Sequence, residues 1–381
     1  MKSMRKSPPQ LEVLVLGDHP AAYFAAMLLR RASVRVAHSL IPGEAFPDRL
    51  VQINPKLFEL DDALAPLKKK LDLAPAYGLQ FLADDPATQA EYRSDSPVAY
   101  VGRFEDVHDA IEKLAADAGV EAHRPQEVVI TAVDETGVTL RLDDATLHPK
   151  LILLAGELPR DLRPALGLPD GWEADVLRRY TYGRVKCSKS GKPESKSAGK
   201  LTIPMSLDLG GQLTWAWMLS DGTTAQPAVE QPLTDVERRP PEQLLRHWAG
   251  VLKAHGKLKT DSAEAVESID LPLAGALSRE GVANRTLLFG PAGGFYTASG
   301  EDIYPNCWSA IFAVEVARKA LKEKHLQDGL QPYRQQWGAT LGDYLRGPQQ
   351  NLRFLLPLIY RNKVMTARLA EAILTGESVV R

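Results

Sequence analysis

Two segments at opposite ends of the chain share one layout, and that layout limits the fold more than any other feature. Leu11–Leu29, LEVLVLGDHPAAYFAAMLL, reads as a buried strand ending at Gly17, a tight turn, and an Ala- and Leu-rich helix with Pro20 at a first helical position. Leu287–Leu321, LLFGPAGGFYTASGEDIYPNCWSAIFAVEVARKAL, reads as a short strand, a glycine-rich turn, a second glycine-bearing loop and a long amphipathic helix. Small residues let backbone approach phosphates, and a helix N-terminus supplies N–H donors and partial positive charge. The pair predicts one nucleotide site closed by both ends of the chain.

The remaining pattern fills in around it. Ser33–Ala37 completes a β-α-β unit, and Val107, Ala110, Ile111 and Leu114 recur at helical spacing within Asp106–Ala118. Val128–Val133, Val138–Leu142 and a piece near Leu147 alternate as a three-stranded meander, and Leu151–Leu154 returns as a buried strand. Lys186–Lys200 is poor in apolar residues and reads as a loop or hairpin tip, or as an anion-attracting arm. Leu201–Leu219 predicts antiparallel strands turning at Gly210-Gly211, Ala225–Pro241 a connection, and Leu244–His255 a helix. From Leu330 the chain is helical, with Pro and Gly breaks.

Bulk properties exclude several classes. A net charge of −2 over 381 residues recruits neither nucleic acid nor an anionic membrane, and no run approaches the ~20 apolar residues that span a bilayer. Cys187 and Cys307 are the only cysteines, which fits a reducing cytosol better than a disulfide framework. No signal core, metal-ligand cluster, Ser-His-Asp set or HExxH is visible. The C-terminal NLRFLLPLIYRNKVMTARLAEAIL is either a packed helix pair or a weak peripheral membrane contact.

The ordered landmarks resemble the FAD-dependent oxidoreductase superfamily of aromatic hydroxylases, flavin-dependent halogenases and geranylgeranyl reductases, the last branch most of all. Gly17-Asp18-His19-Pro20-Ala21-Ala22 resembles that family's Gly-x-Gly-Pro-Ala-Gly turn for the FAD pyrophosphate. Arg103-Phe104-x-Asp106 resembles its Arg-x-x-Phe-Asp segment, whose arginine lies against the cofactor. Trp215-x-Trp217 is similar to its aromatic-x-Trp strand over the substrate cavity. Gly290–Gly294 and Gly300–Ile303 resemble the turns that meet the ribityl chain and the flavin ring. The C-terminal GESVVR resembles a common ending of the reductase branch.

The resemblance implies an α/β fold. A discontinuous Rossmann-like FAD/NAD(P)-binding domain (1–75, 98–175 and 272–329) is interleaved with an antiparallel-sheet substrate domain (76–97 and 176–271), ahead of a C-terminal helical segment (330–381). It also implies FAD contacts at Gly17, His19, Pro20, Ala21, Ala22, His38, Arg103, Val128, Ala155, Gly156, Gly290, Pro291, Gly293, Gly294, Gly300, Glu301, Asp302 and Ile303. Trp215, Trp217 and Tyr296 would face an apolar small-molecule substrate, with NAD(P)H as reductant.

Five positions depart from the family pattern. His19 stands for a glycine, His38 for the acid that meets the adenosine ribose, and Pro291 for an acid beside the ribityl chain. The Asp-Gly turn has become Ala155-Gly156-Glu157. Asp302 replaces the glycine facing the flavin N1 and C2 carbonyl, where a carboxylate ~4 Å away costs a reduced ring roughly 4 kcal/mol at an effective dielectric near 20. Two readings follow: an FAD-dependent oxidoreductase on an apolar substrate, or a protein of this fold that has lost FAD chemistry and serves as a ligand-binding or interaction module. Glu301 reads either as a cofactor neighbour or as a first-turn partner of the helix dipole.

Overall fold

The computed structural model describes residues 11–186, 201–272, 281–297, 299–346 and 352–375. Most of the Lys186–Lys200 segment, Cys187 and the GESVVR ending lie outside the described residues.

Val13–Leu16 is a four-residue strand with every side chain fully buried, as a parallel strand covered on both faces requires. It pairs in parallel with Val36–Ser39 on one side and Leu151–Leu154 on the other, with Leu16 opposite Ser39 and Leu154. Thr286–Leu288 lies beyond Leu151–Leu154, and Ala122–His123 beyond Val36–Ser39. The chain therefore leaves the first strand in opposite directions, which opens a crevice at the strands' C-terminal ends. The helix Pro20–Arg31 buries Ala21, Ala22, Phe24 and Ala25 against this sheet and the long helix Ile303–Ala320. The second strand starts later than the sequence pattern predicts. Ser33 takes a left-handed φ of 60° to cap the preceding helix, so regular pairing begins at Val36.

The three-stranded meander forms as predicted. The other sheet has nine strands and is antiparallel except where Leu201–Leu209 runs parallel to Ala74–Leu82. Leu50–Ile53 and Ala99–Arg103 also pair within it. The predicted connection at Ala225–Pro241 is corrected: Thr224–Pro232 is a full strand between two neighbours. Its prolines remove ladder donors, and burial of Ala225, Ala228 and Val229 outweighs that loss. The C-terminal helices Leu352–Ile359 and Lys363–Thr375 contact each other and share a core with Trp215 and Trp217. No helix among the described residues is long and apolar enough to cross a membrane.

Gly17 is held tightly against the neighbouring backbone in the crevice. Its φ is 131°, and a Cβ there would stand 2.6 Å from the Gly156 backbone nitrogen, which cannot swing aside. Gly17→Ala is expected to cost about 3 kcal/mol from backbone strain and overpacking. A urea midpoint that does not move would refute this.

Candidate functional site

The crevice brings two helix N-termini face to face. His19 is the N-cap of Pro20–Arg31, and its Nδ1 accepts from the Ala21 N–H at 3.2 Å. With Nδ1 unprotonated, the ring proton of the neutral imidazole sits on Nε2, 3.7 Å from Asp302 Oδ2. Asp302 is the N-cap of Ile303–Ala320, and Arg49 Nη2 donates to the same Oδ2 at 2.5 Å. All three side chains are buried. The Phe46 and Phe104 rings pack around His19, and the Arg49 guanidinium lies 4.6 Å over the Phe104 ring.

The charge states follow from these contacts. Burial would raise the Asp302 carboxyl, but Arg49 and His19 outweigh it and hold the group below the usual range, so it is ionised. Burial depresses His19 despite the pull of Asp302, so the imidazole is neutral. The result is an Asp302–Arg49 ion pair beside a neutral histidine, with Asp302 Oδ1 unpartnered.

Glu44 fills the other half of the turn. Its carboxyl accepts from the Asp18 N–H at 2.9 Å and packs directly on Gly156. Burial pushes its pKa up to about 8, which backbone donors at Asp18 and Glu157 only partly offset. His38 folds back, its Nε2–H donating to the Gly17 carbonyl at 2.8 Å, and burial pulls its pKa down to about 4. Two N–H groups of the turn, those of Asp18 and Ala21, are thus engaged by this chain's own Glu44 and His19.

The other expected site residues divide three ways. Ala155, Gly290, Pro291 and Tyr296 line or close the crevice: Ala292 N–H reaches the Ala155 carbonyl, and Gly290 N–H donates to Ser309 Oγ at 2.9 Å. Gly293 and Gly294 shape the turn beneath them, Gly294 with a φ of 75°. Pro20, Ala21, Ala22 and Ile303 are buried helix starts. Gly300 abuts Tyr180 and Trp217. Val128 sits in the meander core, away from the crevice lining. Arg103 is half-exposed and pairs with Asp48 at 2.5 Å and Glu105 at 3.3 Å, the surface ion pair of an ordinary arginine. Glu301 accepts from the Asn54 N–H and the Tyr344 hydroxyl at the seam with the C-terminal helices. Glu44, Arg49 and Phe46 escape motif reading because they lie in an irregular segment that no pattern marks.

Two spaces adjoin the cluster. One, of about 540 Å³, is walled by Glu44, Phe46, Arg49, Tyr296 and Asp302 among others. The second lies under Trp217 and Tyr180 and measures about 40 Å³, room for about one water. Trp215 and Trp217 are buried in the shared core, with Tyr180 edge-on to Trp217.

No family model and no curated protein matches the sequence. Solved structures do match the fold along nearly the whole chain. A flavoprotein/dehydrogenase from Cytophaga hutchinsonii is 17% identical with a TM-score of 0.68, over 96% of this chain and 92% of that one. A geranylgeranyl bacteriochlorophyll reductase-like protein from Thermoplasma acidophilum is 13% identical with a TM-score of 0.66, over 95% and 89%. A probable FAD-dependent monooxygenase from Pseudomonas aeruginosa is 15% identical with a TM-score of 0.66, over 90% and 96%. The chain has the fold of the FAD-dependent oxidoreductases. That bears out the Rossmann-like α/β fold.

Tested against this geometry, FAD does not fit in the manner the resemblance implies. A diphosphate on the first turn would meet the Glu44 carboxyl, and the flavin edge would meet an ionised Asp302 already neutralised by Arg49. His19 is fully buried and caps its own helix, so withdrawing it would give up that bond and its packing.

Proposed function

We propose that this chain keeps the flavoprotein fold as a scaffold and gives its cofactor cleft to a small ligand other than FAD. One observation carries the reading: Glu44 and His19 take the Asp18 and Ala21 N–H donors of the first turn for the chain's own use. The 540 Å³ space left beside them lies within the range of small-molecule pockets. The test is the visible absorption of the purified protein, before and after excess FAD is added and the unbound part removed. A colourless protein both times is expected. Stoichiometric flavin bands that bleach with dithionite or NAD(P)H would overturn the reading.

A second reading, an FAD-dependent oxidoreductase using NAD(P)H on an apolar substrate, draws support from whole-length fold similarity to FAD-dependent enzymes. It requires the segment bearing Glu44 to leave the turn, and a substrate space larger than the 40 Å³ beneath Trp217. The same spectrum separates the two.

A further inference from the structure

The walls of the 540 Å³ cleft hold more acid than base. Glu44, Glu157, Asp270 and Asp302 face Arg49 and Arg160. Asp270 is already met by Arg179, through Nε and Nη2 at 2.7 Å each, and Asp302 Oδ2 by Arg49. What stays open is Asp302 Oδ1, an ionised oxygen on a side chain only 1% exposed and without a hydrogen-bond partner, as is the fully buried His19 Nε2 that lies 3.7 Å from Asp302 Oδ2. A buried carboxylate oxygen left unpaired is costly, and it can only accept. Around it stand Phe46, Tyr296, Leu158, Ile269 and Leu271, apolar surface for an organic body.

We infer that the cleft binds an organic amine: a cationic N–H donor seated between Asp302 Oδ1 and the Glu44 carboxyl, with its apolar body against Phe46 and Tyr296. The inference rests on the non-flavin reading above and names its ligand class. An anionic ligand would be repelled by Oδ1, and a neutral donor would meet it with a weaker bond, whereas an ammonium group supplies a charge-assisted one.

Glu44 adds a second signature. The groups facing it are Asp18 on the first turn, Glu157 after the strand Leu151–Leu154, and Arg49, Arg160, Tyr296 and Asp302 around the cleft. Among these surroundings it is mostly protonated at pH 7, its pKa lying at about 8. An arriving ammonium favours the carboxylate, so binding should release close to one proton per amine.

The experiment is calorimetric titration of the full chain at pH 7 with benzylamine, benzyl alcohol and benzoate, in two buffers of different ionisation enthalpy. FAD is titrated in parallel. Benzylamine is expected to bind at least tenfold more tightly than the other two, with buffer-dependent heat reporting proton release. Glu44→Gln, a neutral isostere of a group already neutral, should remain folded, lose the proton signal and weaken the amine about tenfold. No saturable benzylamine binding, or benzoate binding as tight as the amine, would overturn the amine inference. If FAD also fails to bind in that case, the non-flavin reading still stands. Stoichiometric FAD uptake would instead remove that reading and the inference with it.

Discussion

Asp302→Ala is expected to lower folding stability by about 3–5 kcal/mol, the largest single-residue effect at the site. The substitution strands the Arg49 guanidinium, which is 7% exposed and whose remaining polar contact is with the Pro47 carbonyl. Removing one partner of a buried pair costs far more than the pair contributes net, because the survivor keeps its charge without compensation. The contrast lies in the same molecule: Arg103 is half-exposed beside Asp48, and Arg103→Ala should cost no more than about 1 kcal/mol. A double change, Arg49→Met with Asp302→Leu, should recover most of the loss by replacing charge with packing. Urea unfolding of the three variants decides the matter. An Asp302→Ala midpoint equal to that of Arg103→Ala would mean that water already reaches the pair and that the cluster is not sealed.

Much of this arrangement could be read from the chain, and the limit of that reading has a physical cause. The strand at Val13–Leu16, the turn at Gly17 and the long helix announce themselves through burial runs, glycine and 3.6-residue spacing, which are local signals. The substitutions His19, His38 and Asp302 were equally visible, since a fixed motif exposes any residue that breaks it. What fills the broken motif was not visible. Glu44, Phe46 and Arg49 belong to the stretch between the strands Val36–Ser39 and Leu50–Ile53, which has no periodicity of its own, and Arg49 meets Asp302 across 253 positions of sequence. Their partners exist only after the sheet has placed the two helix starts together. The strand Thr224–Pro232 was missed for a related reason: tertiary pairing on both edges overrode the poor strand propensity of its prolines.

The second large effect concerns pH. Stability should fall by about 4 kcal/mol between pH 6.5 and 8.5 and then level off. Glu44 and Glu301 are both buried acids whose pKa values are pushed up to about 8 from an ordinary 4.5. Over that window the unfolded chain has released both protons, while the folded chain holds them until the pH nears 8. Stability falls with pH wherever the folded state binds more protons, by about 1.4 kcal/mol per unit per group, or about 2 kcal/mol for each glutamate across 1.5 units. His108, whose pKa is raised because its bonds to Asp18 outweigh burial, contributes in the same direction. The buried histidines act oppositely but lower down: His38, at about 4, destabilises the fold only as pH drops below 6.5. There it offsets the gain from the glutamates, as does His19, so the slope is confined to the upper window. Urea unfolding at pH 6.5 and 8.5 measures the drop. Glu44→Gln and Glu301→Gln should each remove about half of it. A stability that holds level or rises across this window would mean that the two carboxyls are solvated, and the sealed first turn on which the non-flavin reading depends would fall with them.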